Sequence, residues 1–191
     1  MKVVLFNGSP REKGNTYHCL NVVIEEIRAA GIECEIIWMG LENLRGCRAC
    51  YKCAISKMPE CAQKEDKLNE YLHKMLDADG IILGSPTYFS NMTAPMKALV
   101  DRAGLISKLR GNLLKGKVGA SVVAVRRAGA NHVFSSLNFF FLIAEMIVVG
   151  SSYWNLGIGR EPGDVLKDVE GIQTFKNLGR NFAFVLQKLK S

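Results

Sequence analysis

The chain has 191 residues, 48% of them hydrophobic, with 25 basic against 18 acidic side chains and a net charge of +7. A chain of that length buries a continuous core without disulfide staples, and its positive balance favours anionic partners such as nucleotides, phosphates or acidic proteins. Two classes are set aside: the most apolar stretch, Phe134 to Gly150, carries Asn138 and Glu145 and is too short for a membrane partner, and the scattered basic residues lack the interleaved aromatics of a nucleic-acid surface.

The first residues, MKVVLFNGSP, combine one lysine with a short apolar run and no small-residue cleavage site. They read as a first strand and not as a secretory signal, so the expected location is the cytoplasm. Apolar runs then alternate with helical patterns: KVVLFN and a helix over residues 16 to 30, CEIIWM, a cysteine-rich loop at 46–62 and a helix over 66 to 78, GIILGS and a helix over 94 to 105. VGASVVAV precedes a helix from about Asn131, treated as buried, which runs into MIVVG; a closing helix is expected from Asp168 to Lys188. Five strands alternating with five helices predict an α/β domain over residues 1–191, with a parallel sheet covered on both faces. Ligands of such sheets bind outside the carboxyl ends of the strands, so the loops after each strand carry the candidate chemistry.

After the first strand, NGSPREKGNTYHCL enters a helix through two glycines, Ser9, Arg11 and Thr16. Backbone N–H groups at the helix start, the two hydroxyls and the guanidinium suit a phosphate. Gly8 and Gly14 do not keep the P-loop spacing, and Asn15 stands where its lysine belongs; G-x-G-x-x-G is absent as well. One terminal phosphomonoester, as in flavin mononucleotide, is the expected ligand; otherwise Asn15 or Thr16 simply caps the helix. In the loop after the third strand, Tyr88 and Phe89 offer aromatic faces beside polar Thr87, Ser90 and Asn91, behind the restricted Pro86. Such a loop suits a flat ring with polar edges, or two aromatics closing the sheet end. After the fourth strand, Arg126 and Arg127 precede Gly129 and His132. A cation there would favour a reduced flavin and Gly129 would admit its backbone, unless the arginines are solvated surface charges. Lys97 and Asp101 stand four apart and predict a surface ion pair. No Ser-His-Asp or paired-carboxylate pattern is present, so no catalytic side chain is assigned and the chemistry is expected from cofactors.

GCRACYKCAISKMPEC places four of the six cysteines within residues 46 to 61. Three thiols spaced by two residues with a fourth farther on match the ferredoxin run better than the two separated pairs of structural zinc, and a reducing compartment disfavours disulfides. Cys19 and Cys34 fall where small buried residues are expected.

The segments GSPREKGNT, ADGIILGSPTYFSNMTAPMKALVDR and VVAVRRAGANHVFSSLNFFF, in that order, resemble the flavodoxin-like NADPH-dependent FMN reductase superfamily. With the cysteine loop, the chain resembles its iron-sulfur flavoproteins. The resemblance implies a flavodoxin-like three-layer sandwich whose five-stranded parallel sheet has the order 2-1-3-4-5. It implies FMN held by Ser9, Arg11, Gly14, Asn15 and Thr16 and by Pro86, Thr87, Tyr88, Phe89, Ser90 and Asn91, with Arg126 and Gly129 from the third loop. It further implies a 4Fe-4S cluster on Cys47, Cys50, Cys53 and Cys61, a ferredoxin-type electron donor, small acceptors such as oxygen species or quinones, and homodimers or homotetramers. Two other readings stand beside it: an NAD(P)H-dependent FMN or quinone reductase without a functional cluster, and a non-enzymatic regulatory protein that binds flavin.

Overall fold

Val3, Val4, Leu5 and Phe6 have no solvent exposure, which marks the first strand as central to a sheet covered on both faces. In the computed structural model, which describes residues 1–190, that strand is β1 (Lys2–Asn7). It pairs in parallel with β2 (Glu33–Trp38) on one side and β3 (Gly80–Pro86) on the other. β4 (Val118–Val125) and β5 (Ile147–Val148) extend the sheet to the expected order β2-β1-β3-β4-β5. Alternate residues of β1 feed opposite cores: Val4 and Phe6 join one apolar cluster, Val3 and Leu5 the other.

The last expected strand, MIVVG, shrinks to two paired residues, and a sixth strand absent from the sequence reading, β6 (Leu156–Ile158), takes over. β4 is shared between them: Val118 and Gly119 pair with β5, Val123 to Val125 with β6. Between the two, buried Asn155 donates its side-chain amide to the Ser121 carbonyl at 3.0 Å, and its own carbonyl accepts from the Val123 N–H at 3.0 Å. The side-chain amide thus satisfies a β4 carbonyl between the two short partner strands.

α1 (Asn15–Ala29) and α6 (Val169–Lys190) cover one face of the sheet; α3 (Leu68–Asp77), α4 (Ala94–Leu109) and α5 (Ala130–Ile143) cover the other. α1 buries Cys19, Leu20, Val23, Ile24 and Ile27, a stripe with helical spacing that commits it to the sheet. α2 (Lys52–Ile55) is a single turn inside the cysteine loop. α5 corrects one expectation. It buries Val133, Leu137, Phe140 and Phe141 but leaves Phe139, Leu142 and Ile143 mostly exposed, so it is a covering helix with an apolar outer face and not a buried one. No helix among the described residues is long and apolar enough to cross a membrane. Cys19 and Cys34 are buried free thiols. Burial pushes Cys34 up to about 11 and Cys19 higher still, which makes both inert. Because the strands run parallel, the segments after Asn7, Trp38, Pro86, Val125 and Ile158 all emerge at one edge of the sheet.

Candidate functional site: a cationic cavity and a four-thiol pocket

The loop after β1 is held by its own side chains. Asn7 donates from Nδ2 to the Glu12 carbonyl (3.0 Å) and accepts the Ser9 N–H on Oδ1 (3.0 Å), while Ser9 Oγ accepts the Arg11 N–H (3.2 Å). β2 braces it from outside: Trp38 Nε1 donates to the Ser9 carbonyl at 2.8 Å. Gly40 lets the two segments touch, since a Cβ there would lie 1.7 Å from the Ser9 carbonyl oxygen. Gly14 occupies the N-cap of α1 with no side-chain cap, leaving first-turn N–H groups to another acceptor. Neither Asn15 nor Thr16 caps the helix. Asn15 Oδ1 instead accepts the N–H groups of Gly163 (2.9 Å) and Val165 (3.3 Å), tying the loop after β6 to α1. Thr16 Oγ1 is buried without any partner.

These loops enclose a cavity of about 350 Å³. The first loop and α1 contribute Ser9, Arg11, Asn15 and Thr16, the loop after β3 contributes Pro86, Thr87 and Tyr88, and Arg126 follows β4. Gly159, Arg160 and Glu161, after β6, close it. The Arg160 carbonyl lies 3.5 Å from Arg11 Nη1, and the Arg160 guanidinium pairs with Glu161 at 3.3 Å. Three guanidinium groups against one carboxylate leave the cavity net positive. Thr87 Oγ1 is a second buried hydroxyl with no partner. Orphaned hydroxyls are costly in a folded protein, and two on residues lining one cationic cavity are groups that a polar, anionic ligand there would satisfy.

Sequence reasoning missed Gly159, Arg160 and Glu161, because the three-residue β6 that delivers them is too short to show a period. The only signal was a glycine- and proline-rich turn in GREPGDV. Gly14, Phe89, Ser90, Asn91 and Gly129 do not line the cavity. Phe89 (φ 48°) and Ser90 (φ 60°) form the corners of a tight turn closed by mutual Tyr88 and Asn91 backbone bonds of 2.9 and 3.0 Å, with Phe89 fully exposed at the tip. Gly129 (φ 85°) caps α5 beside that turn, where a Cβ would lie 2.5 Å from Ser90 Oγ. Arg127 and His132 face a neighbouring cavity of about 450 Å³ beneath the paired rings of Tyr153 and Trp154, 4.9 Å apart. Lys97 and Asp101 form the expected exposed ion pair.

The four clustered cysteines share a second pocket. Cys47 and Cys50 are exposed, Cys53 and Cys61 are buried in the core on the α4 face, and all four line a small cavity with Arg102 of α4. Burial pushes the Cys53 thiol up, and the nearby Cys61, Cys50 and Cys47 push it the same way. Ala49 (φ 50°) and Tyr51 (φ 54°) are non-glycine residues in the left-handed region, the strained backbone that functional loops carry. The Ala49 N–H points at Cys47 Sγ, 3.4 Å away, an amide-to-sulfur contact of the kind iron-sulfur sites use. Among the described residues no group of three or more His, Cys, Asp or Glu side chains is arranged to hold a single metal ion. Four thiols gathered in one pocket are the donor set that a 4Fe-4S cluster uses.

Residues 1–161 match the NADPH-dependent FMN reductase family. An iron-sulfur flavoprotein of Methanocaldococcus jannaschii is 39% identical over the full length of both chains, and one of Methanosarcina thermophila is 31% identical over 100% of this chain and 97% of its own. The chain belongs to the iron-sulfur flavoproteins of the NADPH-dependent FMN reductase family. This flavoprotein is therefore a flavin-dependent oxidoreductase, and FMN is its flavin. Its fold is that of RosB (TM-score 0.76, 18% identity, 100% of this chain and 80% of that one) and of an archaeal flavodoxin (TM-score 0.64, 18% identity, 98% and 99%). The cationic cavity fits FMN: the uncapped α1 start and Thr16 suit its phosphate, and the unpartnered Thr87 hydroxyl suits the rim of its ring.

Proposed function

We propose that this flavoprotein, as a single FMN-binding unit over residues 1–191, relays electrons between FMN in the cationic cavity and a 4Fe-4S cluster on Cys47, Cys50, Cys53 and Cys61. The donor in this reading is a ferredoxin-type protein and the acceptor a small molecule. The observation that carries it is the gathering of four thiols, strained backbone and an amide-to-sulfur contact in one pocket of a flavin oxidoreductase. The names of its full-length relatives support it.

Bound cluster supplies one-electron transfer, and FMN joins that to two-electron chemistry. The chain's own residues bind and orient. Ser9, Thr16 and the N–H groups at the start of α1 hold the phosphate, with Arg11 adding charge. Pro86, Thr87 and Tyr88 would take the ring, and Arg126 lines the cavity wall, where its cation would favour a bound flavin's gain of negative charge. Trp38 and Asn15 keep the two bounding loops in position. No side chain is required to move a proton between the two sites. The location in this reading is the cytoplasm, whose reducing conditions disfavour disulfides among these thiols. The exposed apolar face of α5 suits assembly into a homodimer or homotetramer.

A second reading has the description of the family behind it: direct reduction of FMN by NAD(P)H, with no functional cluster. Anaerobic purification with absorption spectroscopy, iron and acid-labile sulfide analysis separates the two. Flavin together with about four irons per chain is expected. Flavin without iron eliminates the first reading, and bleaching of the flavin by NADPH then establishes the second.

A further inference from the structure

Arg102 is 1% exposed, the bulkiest of the fully buried side chains, and no role in flavin binding accounts for it. Its Nη1 donates to Asp66 Oδ2 at 2.5 Å and to the Arg45 carbonyl at 3.1 Å; its Nη2 donates to the Gln63 carbonyl at 3.3 Å. Arg45 lies just before Cys47, and Gln63 and Asp66 lie just after Cys61. One guanidinium therefore holds both arms of the cysteine loop to α4. Asp66 reinforces the closure by accepting the N–H groups of Arg45 (3.1 Å) and Leu68 (3.2 Å). A further donor, Nε–H, is buried with no partner, and Arg102 lines the cavity that the four thiols share. Burial works against the charged guanidinium, but the Asp66 carboxylate bonded to it and Cys61 nearby outweigh that and hold its pKa above the ordinary arginine value.

We propose that Arg102 is a positioning residue of the cysteine site, closing the loop through its Nη atoms and presenting a buried charge and a free N–H to the sulfurs, so that the site accepts an electron more readily. The proposal rests on the reading of the four cysteines as cluster ligands. Each reduction takes one electron from the donor and moves no proton, so the site gains one negative charge. A fixed cation and an N–H donor beside the thiolates offset that charge and raise the reduction potential.

The test is a redox titration of reconstituted holoprotein, with iron, sulfide and FMN content measured on the same samples. R102Q is expected to disfavour reduction about tenfold, a shift of about 59 mV to more negative potential for one electron. R102K, which keeps the charge but not the planar fork, is expected to fall between R102Q and wild type. D66N removes the carboxylate that neutralises the guanidinium and is expected to shift the potential the opposite way. A purely structural role would move both variants in the same direction. If R102Q and R102K keep FMN but lose iron, the control is Leu105→Ala, another residue of the cavity wall: iron retained there supports the proposal, and equal loss overturns it as a packing effect. Unchanged potentials, or shifts of one sign in R102Q and D66N, overturn the Arg102 proposal alone. Absence of iron from the reconstituted wild type overturns the cluster reading and this proposal with it.

Discussion

The sharpest consequence of the FMN cavity concerns Thr16, whose buried hydroxyl has no partner. Thr16→Val keeps the shape of the side chain and its tolerance of the helix while deleting the oxygen. In the FMN-free protein, a buried unsatisfied hydroxyl costs about 1–3 kcal/mol, so its removal should stabilise the apoprotein by roughly 1 kcal/mol. For a chain of this length that corresponds to a Tm about 2–4 °C higher. With Thr16 on the phosphate as proposed, the same oxygen would make a charge-assisted contact of about 1.5–3 kcal/mol in the complex, so FMN should bind about 10- to 150-fold more weakly. The substitution therefore acts with opposite signs on the two states. Thermal unfolding of apoprotein and titration of FMN fluorescence read both. An unchanged FMN affinity, or an apoprotein destabilised by the loss of the hydroxyl, would refute the assignment of Thr16 to the phosphate.

Gly129→Ala forces a side chain into the left-handed region at about 1–2 kcal/mol and drives its Cβ toward Ser90 Oγ. Chemical denaturation should show at least that loss, with part of it recovered in the double variant with Ser90→Gly; a neutral single substitution would contradict the packing of the two loops. Cys50→Ser should abolish iron and sulfide while leaving FMN stoichiometric, whereas loss of FMN would make the cysteine loop a structural part of the flavin site. Burial alone would raise the Asp66 carboxyl, but the hydrogen bonds from Arg102 and from the Arg45 and Leu68 N–H groups hold it below the usual carboxylate range. Its folded pKa is thus depressed, so the stabilisation is complete above the unfolded value of about 3.9 and is lost as pH falls through the lower folded value. Amide exchange at Arg45 and Leu68, corrected for intrinsic rates, should accelerate as the solution is acidified below about pH 4, and Asp66→Asn should abolish that acid step. Protection that persists in wild type down to the lowest pH at which the sheet survives would argue against the clamp.

The alternation of apolar runs with helical stripes was enough to establish the order of β1 to β4 and the helices between them, because Val3 to Phe6, Ile81 to Leu83 and Val118 to Val125 are buried on both faces and so read as continuous runs. The phosphate-type loop and the cysteine set were legible for a related reason: both are local, with their chemistry carried by residues close together in the chain. What only the tertiary structure decided is what acts across long separations. Asn15 reads as a helix cap, yet it binds Gly163 and Val165, 148 and 150 residues away. Arg160 joins the cavity only because β6 pairs with the far half of β4. Arg102 looks like an ordinary residue of an amphipathic helix until Asp66 and the backbone on either side of the four cysteines close around it. Periodicity reports the face a residue presents to the core, but not the partner it meets there, and a polar group buried by folding takes its role from that partner.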